Sequence, residues 1–498
     1  MCAFARGENP SMKISPLTRI LVTATVTSFF FSTVMPKAHS QLVREPNSTL
    51  NLSETSPPAT LSTTGAFADL ATLTPNRGIV PYAPNVSFWS DYAQKSRWFS
   101  VPDLVSKITF SADGNWTFPT GTVWVKHFNL PNERNNPTGP NRRIETRFIV
   151  KKSDGIYGLT YAWREDQTDA DLVPDYGGDA VYDITVNGKP TEQIWHYPAR
   201  YECIECHSAV AGYGLGFNTR QMNGSHVYGA QNLNQIQAMS DAGYFSAPVS
   251  GVHNFPALAK ASDTTQSLEW RVRSYFAANC LQCHQPGGEA YTNWDARPTT
   301  PTDSANIING LLVYTSDDPA NRFIVPGQTS HSMALKRLTG EEPRMPPIAT
   351  REIDPEAIQL VADWITQALP TRLSFADWQT YYFGSTGNPD AAPTADPDRD
   401  DHNNMEEFLA NTNPTDATSA FAPLRGFVTG GGRQVQFTFT QPANRAALVE
   451  TSTDMVHWSL WDATGNSPTY PTTAQTRIFI APVDIENRRA FRLQLSSL

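Results

Sequence analysis

Two short segments carry the residues most able to do chemistry: Cys203-Ile-Glu-Cys206-His207 and Cys280-Leu-Gln-Cys283-His284. Each sets two thiols three residues apart and places an imidazole directly after them. Thiols at that spacing can each add to one vinyl group of a haem, and the next residue then reaches the iron as proximal ligand. The chain has five Cys, and Cys2 falls at its extreme N-terminus, so the two motifs use all the others. Two other uses of these thiols fit less well. A zinc site built from both pairs would have to bridge 73 intervening residues, far beyond the usual ~15–20, and would leave both His unexplained. Local disulfides, the ordinary use of Cys in an exported chain, need no His either. Two covalent c-type haems are therefore expected, one at Cys203, Cys206 and His207, the other at Cys280, Cys283 and His284.

Each iron then needs a sixth ligand or an open position. For the second motif, Met345 in Arg344-Met345-Pro346-Pro347 offers a neutral thioether in a proline-held loop, which raises the iron potential. Met333 and His331 lie closer in sequence but read as part of a short helix and rank lower. For the first motif Met222 leads, followed by Met239, His226 and His196, and a five-coordinate iron open to small molecules stays an alternative.

The surrounding elements must position these groups. Leu268, Val272 and Phe276 recur at helical spacing up to Cys280, behind a cap formed by Asp263 and Gln266. A closing helix starts at Asp354 and Pro355, with Ile353 stapled onto Ile358. It continues through Val361, Ile365 and Ala368, and Pro370 stops it. Residues 66–200 carry strand signals, with Asp113-Gly114, Asp154-Gly155 and Asn187-Gly188 as tight-turn dipeptides. Trp98, Trp116, Trp124 and Trp163 are expected to pack that β region.

The segments NCLQCHQPGG, VPGQTSHSMALKRL and RMPPIATREIDPEAIQLVADWI resemble the cytochrome c domains of exported bacterial proteins. The upstream FWSDYAQKSRWF, FPTGTVWVKHF, RRIETRFIVK and YECIECHS resemble a thinly characterised family of exported dihaem proteins ending in such a domain. Together the resemblance covers about residues 66–370. It implies haem binding and electron transfer, without a defined reaction.

Farther on, Asp396, Asp398, Asp400, Asn404 and Glu407 fall at positions 1, 3, 5, 9 and 12 of a calcium loop, with the His402 carbonyl at position 7. The stretch resembles thrombospondin type 3-like calcium repeats. It departs from them at position 6, where the turn-forming Gly is replaced by Asp401, and an acidic solvated linker is the plainer alternative. Residues 421–498 read as short strands at sandwich spacing.

At the N-terminus, Lys13 and Arg19 precede an apolar run from Ile20 to Val34, and Ala38 and Ser40 occupy small-residue cleavage positions. This reads as a secretory signal peptide, with a periplasmic, extracellular or cell-surface destination. The formal charge is −10, with 38 Lys+Arg against 48 Asp+Glu, which argues against a nucleic-acid binder and favours a basic redox partner, for instance an exported dehydrogenase. No other run approaches membrane-spanning length, and no hydrolase elbow, Walker loop or dinucleotide fingerprint occurs.

The resulting expectation is a multidomain chain with a mainly-β N-terminal domain, an α-helical cytochrome c domain and a C-terminal β-sandwich. The segments are a signal peptide (1–40), a linker (41–65), a β-rich domain with the first haem motif (66–259), the cytochrome c domain (260–370), an Asp-rich calcium-type linker (386–420) and the sandwich (421–498). The expected function is single-electron transfer through two haems. A dihaem peroxidase-like or oxidase-like enzyme with an open first haem, or a surface or polysaccharide binding module, stand as alternatives.

Overall fold

A central antiparallel sheet organises the first half of the chain in the computed structural model. The structure describes residues 42–498 apart from 315, 342, 349, 422–423, 430–433 and 483–489; the leader lies outside the described residues. A small ribbon, β1 (Phe67–Asp69) and β2 (Thr74–Pro75), precedes six strands in sequence order: β3 (Val80–Pro81), β4 (Gln94–Ser100), β5 (Val123–Pro131), β6 (Asn141–Lys151), β7 (Ile156–Trp163) and β8 (Ala170–Leu172).

The sheet is apolar on both faces, because side chains alternate along each strand. Trp98, Val125 and Phe148 stand abreast on one face, and Phe99, Trp124 and Ile149 on the other. The first row belongs to a core with Tyr161 and Trp163, the second to a core with Trp116, Phe217 and Cys203. The hairpin of β9 (Gly178–Val186) and β10 (Lys189–Tyr197) turns at Asn187-Gly188, both with positive φ, as a tight two-residue turn requires.

Helix α1 (Arg200–Cys206) follows β10 directly, and α2 (Thr219–Met222), the ribbon β11 (Ser225–Tyr228) and β12 (Gln231–Asn234), and α3 (Gln235–Asp241) cover the second sheet face. Next come α4 (Leu268–Asn279), α5 (Met333–Leu338), α6 (Pro355–Asp363), α7 (Phe375–Phe383) and α8 (Asn404–Ala410). Ser267, rather than Asp263, caps α4 by accepting the Trp270 N–H at 3.1 Å. Asp354 caps α6 as expected, with Pro355 at its first position.

The fold-class expectation needs correction. The chain is 19% helical and 27% strand, and no large α-helical domain is evident among the described residues. Over residues 260–370 the described α-helices run only 12, 6 and 9 residues. The stretch from Leu281 to Gln328 is irregular among the described residues. Pro286, Pro298, Pro301, Pro319 and Pro326 punctuate it, and each removes a backbone donor that a helix interior needs. The described residues fall within one compact unit. One small core joins Val86, Leu258, Trp270 and Ala277 to Tyr470 and Leu498.

Toward the C-terminus, β13 (Arg425–Thr429), β14 (Gln434–Gln441) and β17 (Gln475–Pro482) form one three-stranded sheet. A second consists of β16 (Ser459–Leu460), β15 (Ala446–Ser452) and β18 (Ala490–Ser496). Phe437, Val449, Trp461 and Phe479 lie in the core they share.

Candidate functional site

Helix α1 holds the first motif against the sheet. Its N-terminus is closed by Glu202, whose carboxylate accepts the Ala199 N–H at 2.7 Å. Cys203 is buried on β7 over Gly158, where any Cβ would come within 2.6 Å of the Cys203 Sγ. His207 ends the helix, and its Nδ1 lies 2.5 Å from the Tyr213 carbonyl. A carbonyl can only accept, so Nδ1 carries the proton and the Nε2 lone pair is free to ligate. Burial, reinforced by Lys126, lowers the His207 pKa to about 3, so the ring is neutral.

The second motif follows α4. Cys280 caps that helix, its N–H donating to the Phe276 carbonyl at 2.8 Å, and the His284 N–H reaches back to the Cys280 carbonyl at 2.8 Å. The His284 ring stacks on Trp294 with centroids 4.6 Å apart. Burial, with Arg337 adding to it, lowers its pKa to about 4. Its Nδ1 is buried without a hydrogen-bond partner.

The two motifs meet. The Cys206 and Cys283 thiols lie against each other, and their interaction pushes the Cys206 thiol up and the Cys283 thiol down. Gln285 donates to the Val210 carbonyl at 3.4 Å beside this contact. Each motif nevertheless opens onto its own cavity. Cys280 and His284 line one of about 300 Å³, together with Phe276, Trp294, Arg337, Met333 and Met345. Cys203, Cys206 and His207 line a narrower one of about 80 Å³, together with Arg97, Lys126 and Arg147.

These placements bear on each ligand candidate. Met345 reaches the larger cavity as expected, and Met333, ranked lower from the sequence, lines the same space. His331 is instead engaged by Asn321 and Asp318. Met222 and Met239 sit fully buried in the core behind the first motif and do not line its cavity. Both ring nitrogens of His196 are taken, by Asp179 at 2.7 Å and Glu202 at 3.0 Å. His226 packs on Tyr228 in β11. No thioether among the described residues lines the first cavity.

The donor sets suit a covalently held haem at both motifs: paired thiols and a neutral imidazole, with largely apolar walls at the second. They do not converge on one zinc ion. The one His/Cys/Asp/Glu group among the described residues that could hold a metal is Asp396, Asp398 and Asp400, and the four described cysteines are free.

That acidic group has a built interior. Asp396 accepts the N–H groups of Arg399, Asp400 and Asp401, and Asp400 accepts that of His402. Asn404 and Glu407 arrive one turn apart on α8. Both carboxylate oxygens of Asp398 and one oxygen each of Asp400, Asn404 and Glu407 are buried without a partner. Burial and the neighbouring Asp398 push the Glu407 carboxyl up to about 7. Asp401, which stands where such loops carry Gly, takes φ 74°. The left-handed turn is thus made, and Asp tolerates it better than most residues.

No family model, curated protein or solved structure matches the chain. Among the described residues no helix is long and apolar enough to cross a membrane.

Sequence reasoning ranked Met333 too low at the second cavity and missed Arg337 there and the three cations at the first. A faint signal existed in VWVKHF, where Lys126 interrupts an otherwise apolar strand.

Proposed function

We propose that the chain is an exported dihaem c-type cytochrome that passes single electrons, as its resemblance to the exported dihaem family implies. The observation that carries this reading is the contact between Cys206 and Cys283, which places two CxxCH motifs side by side while each keeps its own cavity. Bound at these sites, haem iron supplies one-electron redox chemistry. The chain's own residues do the rest. Cys203, Cys206, Cys280 and Cys283 provide the thiols for attachment. His207 and His284 provide neutral imidazoles, the first with its tautomer fixed by Tyr213. Met345, with Met333 beside it, provides thioether sulfur, and Phe276 and Trp294 keep water from that cavity. The acidic balance of the chain suits a basic redox partner, an exported dehydrogenase being one such class. The Asp396–Glu407 loop binds one calcium ion and ties α8 to the segment before it.

A second reading is favoured by one observation: no thioether among the described residues lines the first cavity. An iron held there by His207 alone would stay open, as in a peroxidase-like or oxidase-like enzyme.

Intact-mass measurement and visible spectra of the protein, matured in cells that attach haem, test both readings. Two attached porphyrins with both irons low-spin and inert to carbon monoxide support electron transfer. A high-spin fraction that binds carbon monoxide supports the enzyme. A colourless protein with the mass of bare polypeptide sinks both.

A further inference from the structure

The strand register places three cations shoulder to shoulder. Arg97 on β4 pairs with Lys126 on β5, and Lys126 pairs with Arg147 on β6. All three lie on the sheet face that carries Phe99, Trp124 and Ile149, under α1. Directly opposed residues in antiparallel strands stand only about 5 Å apart at Cβ, and like charges there destabilise a sheet. Burial raises that cost.

The row is poorly neutralised. Arg147 pairs with Glu145 at 2.6 Å, and the other Glu145 oxygen accepts the Trp195 indole N–H at 3.0 Å. Arg97 and Lys126 have no such carboxylate and make no side-chain hydrogen bond among the described residues. The Lys126 ammonium has only the rings of Phe88 and Phe128, each 5.9 Å away. Glu202 lines the same cavity, but Ala199 and His196 occupy its carboxylate. Three basic side chains against the one paired carboxylate of Glu145 leave the row with an excess of positive charge. Desolvation, and then Arg97 and Arg147, push the Lys126 amine down to about 7. All three cations line the cavity that holds Cys203, Cys206 and His207.

We infer that the Arg97–Lys126–Arg147 row is an anion site, built for carboxylate or oxyanion oxygens that bring negative charge into the first cavity. A sheet that abuts three cations under a helix loses stability unless such a charge arrives, and the cavity is where it can arrive. Two sources offer the same chemistry. One is the pair of propionate groups of a haem held at Cys203 and Cys206, which rests on the function proposed above. The other is a free oxyanion that diffuses in.

The test uses the full chain, both without haem and haem-loaded, as wild type, Lys126→Gln and Arg97→Gln/Lys126→Gln. Thermal midpoints are compared in sodium chloride and in inorganic phosphate at equal ionic strength. In the haem-free wild type, phosphate raises the midpoint by several degrees. In chloride the double variant melts above wild type, because the buried repulsion is gone, and phosphate does not move it. The single variant falls between the two. In the loaded wild type, loss of the phosphate shift assigns the row to the propionates, and its persistence with a change in the Soret band assigns it to a free oxyanion. A haem-free wild type that ignores phosphate, or variants that respond as wild type does, would overturn the site.

If the haem-free chain does not fold, the loaded protein carries the test. There the double variant melts below wild type with propionates seated, or loses the phosphate shift with a free anion. A higher midpoint with no phosphate shift in either protein overturns the proposal. A colourless chain that still responds to phosphate sinks the haem reading and leaves the anion site standing.

Discussion

The Asp91 carboxylate accepts the backbone N–H of Arg351, at 2.9 Å and 3.1 Å from its two oxygens, and also that of Glu352 at 3.1 Å. A residue next to the central sheet thereby clamps the loop that follows Met345. Trp89 joins it, donating its indole N–H to the Glu352 carbonyl at 2.9 Å. Arg134 pairs with the Glu352 carboxylate at 3.2 Å. Asp91 and Tyr92 both take positive φ, which Asp tolerates and Tyr resists. Asp91→Ala leaves two backbone donors without their acceptor and should cost about 1–3 kcal/mol, read from the urea midpoint. A loss below that range would show that the clamp contributes little.

Met345→Ala and Met333→Ala separate the two thioethers of the larger cavity. The weak red-end absorption of the ferric protein that marks Met–iron ligation should vanish in the Met345 variant and survive in the Met333 variant. The reverse result would transfer the ligand role to Met333, and an unchanged band in both would remove sulfur from the iron altogether.

Calcium should bind the Asp396–Glu407 loop, since five of its side-chain oxygens, on Asp398, Asp400, Asn404 and Glu407, are buried without a partner. At a calcium concentration 100 times the dissociation constant the protein gains about 2.7 kcal/mol. Asp398→Ala should abolish that gain while raising stability in calcium-free buffer, where it relieves repulsion from Asp396 and Asp400. Calorimetry that shows no heat at millimolar calcium would count against the loop as a cation site.

His196 gives stability a pH dependence. Burial lowers its pKa, but the Glu202 and Asp179 carboxylates more than offset this, and the net shift is upward. The folded chain therefore holds the proton more tightly than the unfolded one. The stabilisation is complete below the unfolded value of about 6.5 and is lost as pH rises through the raised folded value. Urea midpoints of wild type and His196→Gln should differ most near about pH 5.5 and converge near about pH 8.5. Parallel pH profiles would rule out this linkage.

Much of the local grammar could be read directly from residue order. Asn187-Gly188 makes the turn its dipeptide promises, and Asp354 with Pro355 starts α6. Ser267 displaces Asp263 as the α4 cap, because the helix begins one residue after it. Longer-range relations left no trace in the order of residues. Nothing in the sequence pairs Cys206 with Cys283, or sets Arg97 beside Lys126 and Arg147, because strand register and helix docking decide both. Each cation looks like the polar half of an ordinary strand until the far side of the sheet proves to be covered. The expected helical domain failed for a composition reason: the prolines between Cys280 and Met333 leave only short helical pieces.

If both motifs carry haem in an exported chain, as proposed above, the closeness of the Cys206 and Cys283 thiols imposes an order of biogenesis. Outside the cytoplasm, a polypeptide that collapsed before its sulfurs were capped would bring them together where any oxidant could cross-link them and block both attachment sites. The maturation apparatus must therefore reach the nascent chain while it is still open, and slow collapse would serve this protein better than fast.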